Sequence, residues 1–237
     1  MDITKLTLLE AKKALLEKKF SSTELTEEFI KNIEKNRRLN AFITETFDLA
    51  RQRARESDEK ISKGQARKLE GLPIAMKDLF CTKGIKTTAG SKYLENFVPP
   101  YESTVSEKMD KEGYVLLGKT NMDEFAAAGT GKTSHFGPAI NPYKANNDSR
   151  DLIPGGSSSG SAAALAGNMC LASTGSDTGD STRHPANLCN LVGIKPTYGR
   201  ISRYGMIAYA SSLDHAGLFT RDIRDSAYLL EIIAGKD

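Results

Sequence analysis

The spacing of hydrophobic and polar positions predicts helices over most of the first seventy residues. Apolar side chains recur at roughly helical spacing over residues 4–19, which predicts a first amphipathic helix. The positions on its apolar face are Leu6, Leu9, Ala14 and Leu16. Ser21 and Glu24 have the spacing of a capping box, so a second helix is predicted to begin there and to end near Glu34. A charged helix with a solvated face is predicted over residues 48–63.

The rest of the chain alternates short apolar runs with helical patterns. Strands are predicted over residues 39–44, 114–117 and 170–172, and helices over residues 103–113, 162–166, 182–190 and 222–234. The predicted core face of the last helix carries Ile223, Ala227, Leu230 and Ala234. Turn residues between 134 and 153 predict a loop.

Composition and charge indicate a globular protein and exclude several function classes. Of the 237 residues, 39% are hydrophobic and 27% charged, and no tract is of low complexity. A net charge of +3, with scattered Lys and Arg, does not indicate a nucleic-acid surface. The three cysteines and three histidines lack the spacing of a disulfide framework or a metal site. The N-terminus resembles no signal or transit sequence, and no stretch is long enough to span a bilayer, so we expect a cytoplasmic protein without membrane contact.

Small residues crowd together twice between Pro154 and Arg200. Residues 155–161 carry no side chain larger than a hydroxymethyl, and an alanine-rich run follows them. Such a loop before a helix N-terminus can bind an anion or oxyanion through its N–H groups. Residues 175–181 repeat the arrangement, so a serine there is well placed as a nucleophile beside peptide N–H groups. The alternative interpretation is two flexible surface loops.

Lys77 ends the apolar run of residues 72–76 and is the candidate base. A lysine at this position could simply reach solvent. Burial among apolar and hydroxyl groups would instead disfavour the ammonium form and lower its pKa. A decrease from about 10.4 to about 7–8 requires roughly 4 kcal/mol of differential desolvation, which a well-formed core can supply.

Three shorter motifs match known signatures without the structural context that those signatures need. Residues 113–120 fit the Walker A string, but its four variable positions are themselves the predicted strand. Residues 126–133 fit a relaxed version, but the segment before them is too short and too charged to be the required strand. Residues 156–160 fit the G-x-S-x-G elbow of hydrolases, yet only two apolar residues precede them before a proline. A serine triad with His184 or His215 stays an alternative.

Three segments give the chain a close resemblance to the amidase signature family. They are the apolar run that ends in Lys77, PGGSSSGS at residues 154–161 and GSDTGDSTRHPA at residues 175–186. The segments GLPIAMKDLFCTKGIKTTAGS, LLGKTNMDEFA and SRYGMIAYASSLDHAG are similar to one branch of that family, the A subunits of tRNA-dependent amidotransferases. The resemblance covers essentially the whole chain.

The resemblance implies an α/β fold, with a mixed central β-sheet flanked by α-helices on both faces. Residues 1–237 would form a single amidase-type domain that is incomplete at its C-terminal side. Residues 1–65 would be its mostly helical N-terminal part, and residues 66–237 its catalytic core.

The resemblance also implies a Ser–Ser–Lys triad that performs acyl transfer. Matched by position, Ser181 would be the nucleophile, Ser157 the bridging serine after a cis peptide bond, and Lys77 the base. Ser158 would support the site by hydrogen bonding. The expected oxyanion hole consists of the backbone N–H groups of Thr178, Gly179, Asp180 and Ser181. The implied reaction is attack of Ser181 on the side-chain amide of glutamine, release of ammonia and hydrolysis of the glutamyl ester.

Partners follow from the same resemblance. Ammonia would pass to a B subunit that uses ATP and Mg²⁺ to activate Glu-tRNA(Gln) or Asp-tRNA(Asn), and a small C subunit would stabilise the heterotrimer. This chain itself would bind no cofactor and no metal, and it would meet tRNA only through the complex.

Three departures from the family pattern bear on this expectation. Asp180 stands where the family has glycine, which places a carboxylate beside the expected oxyanion hole, and Ser159 also replaces a glycine. Family chains are much longer, so we expect the residues that grip the α-amino and α-carboxylate groups of glutamine to be absent. A stand-alone amidase for another amide and an inactive truncated remnant are the alternatives.

Overall fold

A mixed β-sheet of six strands organises residues 2–146 and 149–235, the parts of the chain described by this computed structural model. The strands are β1 (Phe42–Glu45), β2 (Pro73–Lys77), β3 (Val115–Thr120), β4 (Ala172–Asp177), β5 (Val192–Ile194) and β6 (His215–Thr220). Their order across the sheet is β1-β3-β2-β4-β6-β5. Strand β2 runs parallel to both β3 and β4, and the other pairs are antiparallel. The residue that ends β2 therefore lies in the interior of the sheet.

Seven α-helices accompany the sheet in the described residues. They are α1 (Leu8–Leu16), α2 (Ser22–Lys35), α3 (Phe47–Ser62), α4 (Thr104–Lys111), α5 (Ser159–Ala166), α6 (Arg183–Leu188) and α7 (Ile223–Ile233). Helix α5 packs on β2, β3, β4 and β6, α3 packs on β3, and α7 packs on β5 and β6. The predicted α/β fold, with a mixed sheet flanked by helices, is confirmed. The predicted division at residues 65 and 66 stays a prediction. No helix in the described ranges is both long and apolar enough to cross a membrane.

Strand β4 is built from small and polar residues, ASTGSD, yet every position in it is buried. The predicted strand over residues 170–172 was therefore wrong, because the strand begins at Ala172 and continues through Asp177. Its hydroxyls tolerate burial because they have partners: Ser173 Oγ donates to the Ser161 carbonyl at 2.9 Å, and Thr174 Oγ1 accepts from the Lys77 N–H at 2.9 Å. The loop expected from residue 175 begins only after Asp177.

The first strand also differs from the prediction. A short 3₁₀ turn, Arg37–Leu39, precedes it, and Asn40 adopts a left-handed conformation with φ 49°. Leu39 is buried in that turn, so its apolar character reflects core packing and not strand pairing. Pairing with β3 starts at Phe42.

Helix α1 buries a different face from the predicted one. Its buried residues are Leu8, Ala11, Ala14 and Leu15, whereas Leu16 is 50% exposed. Thr7 and Glu10 form a capping box at the start of this helix, which leaves Leu6 outside it. The capping box predicted for Ser21 and Glu24 is confirmed at the start of α2.

Helix α7 is also rotated relative to its prediction, since Ile223 is 58% exposed. The residues on its buried face are Asp225, Ser226, Leu229, Ile232 and Ile233. Two of them, Asp225 and Ser226, are polar, and their burial is tolerated because both have hydrogen-bond partners. The Asp225 carboxylate accepts from the N–H groups of Leu8 at 2.8 Å and Leu9 at 3.0 Å, and Ser226 Oγ lies 2.6 Å from Thr220 Oγ1. Asp225 thereby caps the first α-helix from the last one.

We expect Asp225→Ala to lower the free energy of unfolding by about 2 kcal/mol, because it leaves two N–H groups at the start of α1 without their acceptor. Urea denaturation measures the change. The control is Asp48→Ala, which removes a fully exposed carboxylate from the first turn of α3 and is expected to cost less than about 0.5 kcal/mol. Equal effects of the two substitutions would contradict the capping role.

Candidate active site

Lys77 ends β2 inside the protein and is 0% exposed. Its backbone N–H donates to Thr174 Oγ1 of β4 at 2.9 Å, which ties the end of one parallel strand to the next. The alternative that this lysine reaches solvent is wrong.

The Lys77 ammonium donates to three serine hydroxyls. Its Nζ lies 2.7 Å from Ser157 Oγ, 2.8 Å from Ser158 Oγ and 2.8 Å from Ser176 Oγ. Three partners match the three protons of an ammonium group. All three partners are neutral, and no carboxylate among the described residues forms a salt bridge with Lys77. The surroundings thus satisfy the hydrogen-bonding capacity of the lysine without balancing its charge at contact distance.

This environment shifts the protonation equilibrium of Lys77. Burial lowers the pKa of Lys77 to about 7, against the opposing attraction of Asp123, Asp177 and Asp214. A comparable share of neutral amine and ammonium is then present near pH 7, which is the condition for a general base.

The segment before α5 holds Ser157 against the lysine. The Gly156–Ser157 peptide bond is cis, and the Ser157 carbonyl accepts from the Asp123 N–H at 3.1 Å. A Cβ atom on Gly156 would lie 2.0 Å from Asp123 Oδ2, so only glycine fits there. Asp123 is itself fixed by the N–H groups of Gly131 at 2.9 Å and Thr133 at 3.1 Å.

The same contacts show that neither of the two Walker-like strings forms a phosphate-binding loop. Gly131 and Thr133 of the second string donate their N–H groups to the Asp123 carboxylate instead of forming a phosphate cradle. In the first string the variable positions belong to β3, as predicted, and Lys119 is fully buried. Its Nζ donates to the Phe80 carbonyl at 2.5 Å and to Thr87 Oγ1 at 2.8 Å.

The hydrolase-elbow alternative lacks the hydrogen bonds that it requires. Ser158, the central serine of that string, stands at the N-cap of α5 with no strand immediately before it. Its hydroxyl accepts from Lys77 Nζ and from the Ser176 N–H at 3.2 Å. Among the residues described, neither His184 nor His215 hydrogen-bonds to it; His215 Nδ1 lies 3.1 Å from the Asp177 carbonyl.

Ser181 lies in the loop between β4 and α6 and is 5% exposed. Its carbonyl accepts from the Ser158 N–H at 3.2 Å, so the two serine segments are joined through their backbones. The Ser181 hydroxyl makes no hydrogen bond to any described residue. The structure therefore brings Lys77, Ser157 and Ser158 into direct contact and places Ser181 beside them without a side-chain link.

The expected oxyanion donors, residues 178–181, form the segment that we call the oxyanion loop. Besides the Ser181 carbonyl, two of its carbonyls are engaged: Arg183 Nη2 donates to the Gly179 carbonyl, and the His184 N–H donates to the Asp180 carbonyl at 2.8 Å. In a trans peptide the N–H points opposite to the C=O, so the N–H groups of Asp180 and Ser181 point away from these donors. Neither N–H group donates to an acceptor within the described residues.

The sequence pattern of the family described as Amidase matches residues 24–237. The chain belongs to the amidase family. The resemblance inferred from the sequence is thereby confirmed.

Curated relatives within the amidase family include the A subunits of two glutamyl-tRNA(Gln) amidotransferases. Those of Rickettsia bellii (strain OSU 85-389) and Hyphomonas neptunium (strain ATCC 15444) are each 55% identical to this chain over 236 residues, which is 100% of this chain and 48% of each relative. The chain thus spans about half the length of the curated relatives it matches.

Solved structures of the family have the same fold. The A subunit of the Thermotoga maritima glutamyl-tRNA(Gln) amidotransferase matches with a TM-score of 0.81 and 39% identity, over 100% of this chain and 48% of that one. The native peptide amidase of Stenotrophomonas maltophilia matches with a TM-score of 0.89 and 32% identity, over 98% and 48%.

Sequence reasoning missed Ser176, the third hydroxyl on the lysine of this amidase-family chain. Thr174 and Ser176 stand two positions apart on β4, so their side chains lie on the same face of the sheet. Both bond to Lys77, Thr174 at its backbone N–H and Ser176 at its Nζ. This spacing of two hydroxyl residues is a signal in the sequence, but it can be recognised only when residues 172–177 are assigned to a strand. The described residues contain no group of three His, Cys, Asp or Glu side chains that could hold a metal ion.

The two residues expected to replace family glycines, Asp180 and Ser159, lie in different surroundings. Asp180 is exposed, so water and salt screen its charge and it is not buried against the expected oxyanion hole. Ser159 Oγ is buried without a hydrogen-bond partner among the described residues. A buried hydroxyl without a partner is destabilising.

We expect Lys77 to titrate near pH 7 in ¹³C- or ¹⁵N-detected lysine NMR spectra, with Lys77→Met as the assignment control. The pKa of Lys77 in the fold, about 7, is below its ordinary value of 10.5, so the unfolded state binds more protons between these limits. Stability should therefore rise with pH across that window, and Lys77→Met should remove this contribution. A Lys77 signal that titrates only above pH 10 would contradict the burial argument.

We expect Ser159→Ala to raise the free energy of unfolding by about 1 kcal/mol, because it removes a buried hydroxyl without a partner and favours the helix. The matched control is Ser161→Ala on the same helix. Ser161 is equally buried, but its Oγ lies 2.6 Å from Thr120 Oγ1, so its loss should lower the free energy of unfolding by about 1 kcal/mol. Urea denaturation that gave both changes the same sign would reject this account.

Proposed function

We propose that this chain carries the amidase centre in the A subunit of a glutamine-dependent tRNA amidotransferase, and that it releases ammonia from glutamine. The observation that carries the proposal is the buried Lys77 amine, with a pKa of about 7, hydrogen-bonded to Ser157. The names of the curated relatives, which are A subunits of glutamyl-tRNA(Gln) amidotransferases, support the choice of reaction.

Proton transfer in the proposed reaction runs through the two serines. Neutral Lys77 accepts the proton of Ser157, and Ser157 accepts the proton of Ser181 as Ser181 Oγ attacks the amide carbon. A C–O bond forms and the carbonyl oxygen becomes an oxyanion. Because the Ser181 hydroxyl has no hydrogen bond to the described residues, its bond to Ser157 would form when the substrate enters; catalytic hydrogen bonds often tighten in that way.

Collapse of the intermediate reverses the proton path. The C–N bond breaks, and the proton held by Lys77 returns through Ser157 to the departing ammonia. A glutamyl ester of Ser181 remains, and water hydrolyses it by the same relay. The N–H groups of Asp180 and Ser181 would stabilise the oxyanion in both steps, since the carbonyls of the same two peptide groups, those of Gly179 and Asp180, accept from Arg183 and His184 on the opposite side of the loop.

The partners belong to the same proposal. Ammonia would be consumed by a B subunit that activates Glu-tRNA(Gln) or Asp-tRNA(Asn) with ATP and Mg²⁺, and a C subunit would complete a cytoplasmic heterotrimer. The proposal includes no membrane contact and no cofactor bound by this chain. By the family resemblance, the residues that grip the α-amino and α-carboxylate groups of glutamine would lie in the half of the longer relatives that this chain does not span.

A stand-alone amidase is the second candidate, supported by the similarity to the peptide amidase fold. The two candidates differ in the response to partners. Ammonia release from glutamine that rises when B and C subunits are added favours the amidotransferase. Release from other amides that is indifferent to them favours the stand-alone enzyme, and absence of both favours the inactive remnant.

We expect Ser181→Ala to reduce ammonia release from glutamine by at least about 10³-fold, because the nucleophile is lost, while the fold is retained. The assay uses this chain with and without B and C subunits, and urea denaturation monitors folding. The matched control is Ser173→Ala on β4, whose hydroxyl donates to the Ser161 carbonyl and is not among the hydrogen-bond partners of Lys77; its activity should stay within about tenfold. Activity of Ser181→Ala close to that of the unchanged chain would remove Ser181 from the mechanism.

A further inference from the structure

Asp214 is a buried carboxylate that the mechanism described above does not use. It is 2% exposed and immediately precedes β6. No lysine, arginine or histidine of the described residues forms a salt bridge with it. A buried carboxylate without a cation persists only when hydrogen-bond donors surround it.

The donors to Asp214 come from two directions. Two belong to its own turn: the Tyr209 N–H donates to Oδ2 at 2.9 Å, and the Ala210 N–H donates to Oδ2 at 3.1 Å and Oδ1 at 3.2 Å. The third comes from the oxyanion loop, where Thr178 Oγ1 donates to Oδ1 at 2.6 Å. The turn thus fixes the carboxylate, and the carboxylate accepts a short, charge-assisted bond from Thr178.

The bond between Thr178 and Asp214 lies just beyond the end of the pairing between β4 and β6. Pairing of β4 with β6 ends at Asp177 and His215, so no further ladder hydrogen bond holds the backbone beyond Asp177. Thr178 and Asp214 are the next residues on the two strands, and their side chains continue the alignment by one position. The far end of the loop is held separately, by Arg183 on the Gly179 carbonyl and by the His184 N–H on the Asp180 carbonyl.

We propose that Asp214 is a positioning residue, which holds the start of the oxyanion loop through the Thr178 hydroxyl so that the N–H groups of Asp180 and Ser181 face the substrate carbonyl. The inference rests on the proposed function. Asp214 makes no hydrogen bond to Lys77 or to the three serines on it, and among its partners only Thr178 belongs to the oxyanion loop. Its charge also attracts the Lys77 ammonium from a distance, so the Thr178 variants, which keep that charge, test the positioning role by itself. Losing the contact should weaken stabilisation of the oxyanion, which exists only in the transition state and the intermediate.

The test measures acylation of Ser181 by p-nitrophenyl acetate in the whole chain, together with its amidotransferase partners. Ser181 Oγ attacks the ester carbon, nitrophenolate leaves, and the proton passes to Lys77 through Ser157. Released nitrophenolate gives the rate, and peptide mass spectrometry locates the acetyl group. Thr178→Val removes the hydroxyl at nearly constant volume, and Thr178→Ser keeps it.

We expect Thr178→Val to lower the maximal acylation rate by about tenfold or more, while the half-saturating ester concentration stays within about twofold. Thr178→Ser should stay within about threefold of the unchanged chain. Asp214→Asn should also lower the maximal rate, because the Thr178 hydroxyl then donates to a neutral amide in place of a carboxylate. In the double variant the fold-loss should be smaller than the product of the two single losses, because both substitutions change the same bond. A merely structural role would not produce a selective loss in the maximal rate together with rescue by serine.

The outcomes distinguish a failure of the positioning role of Asp214 from a failure of the proposed function. If Ser181 of the unchanged chain is acetylated and folded Thr178→Val reacts at the same maximal rate, the positioning role is overturned and the proposed function stands. If Ser181 of the unchanged chain is not acetylated, both are overturned. If Asp214→Asn fails to fold, the two Thr178 variants decide the question without it.

Discussion

The burial of one lysine amine among hydroxyl groups is the constraint on which the rest of this structure depends. Lys77 is 0% exposed, and its three protons are donated to Ser157, Ser158 and Ser176. Neutral partners satisfy its hydrogen bonds but do not repay the desolvation of its charge, which is why the pKa of Lys77 falls to about 7. The carboxylates that oppose this fall act from beyond contact distance. A closer acid would keep the amine charged and remove its use as a base.

Small residues in this chain serve to bring backbone segments close to that lysine. Gly156 lies against the Asp123 carboxylate, and Gly160 lies against the backbone of Asn121, where added Cβ atoms would stand 2.0 Å and 2.4 Å from these neighbours. Gly118 and Gly131 stand next to Lys119 and Lys132 in segments that match a nucleotide-binding loop by sequence alone. Both glycines instead pack closely against other parts of the chain. The Gly131 N–H is used by Asp123, and Gly118 is part of β3. The chemistry of a glycine-rich segment therefore depends on what its N–H groups already bond to.

The two residues expected to depart from the family pattern, Asp180 and Ser159, lie in different surroundings. Asp180 stands on the solvent side of its loop, where a carboxylate costs little, because its charge is screened. Ser159 is enclosed and its hydroxyl has no partner in the described residues, so it lowers stability without touching the lysine. The chain spans about half the length of its curated relatives, and its Lys77 cluster nevertheless forms entirely from residues of this half.

Local signals in the sequence were sufficient for the elements that short-range chemistry decides. The capping box at Ser21 and Glu24, the buried run that ends in Lys77 and the helix after the first serine cluster all depend on residues a few positions apart. The sequence did not reveal that β4 runs through Ser176, because small polar residues become strand-like only when distant partners satisfy their hydroxyls. Nor did it reveal which faces of α1 and α7 are buried, since Asp225 is drawn inside by N–H groups at the other end of the chain. Partners that lie far apart in the sequence meet only in the folded chain, and the tertiary structure alone therefore decided those contacts.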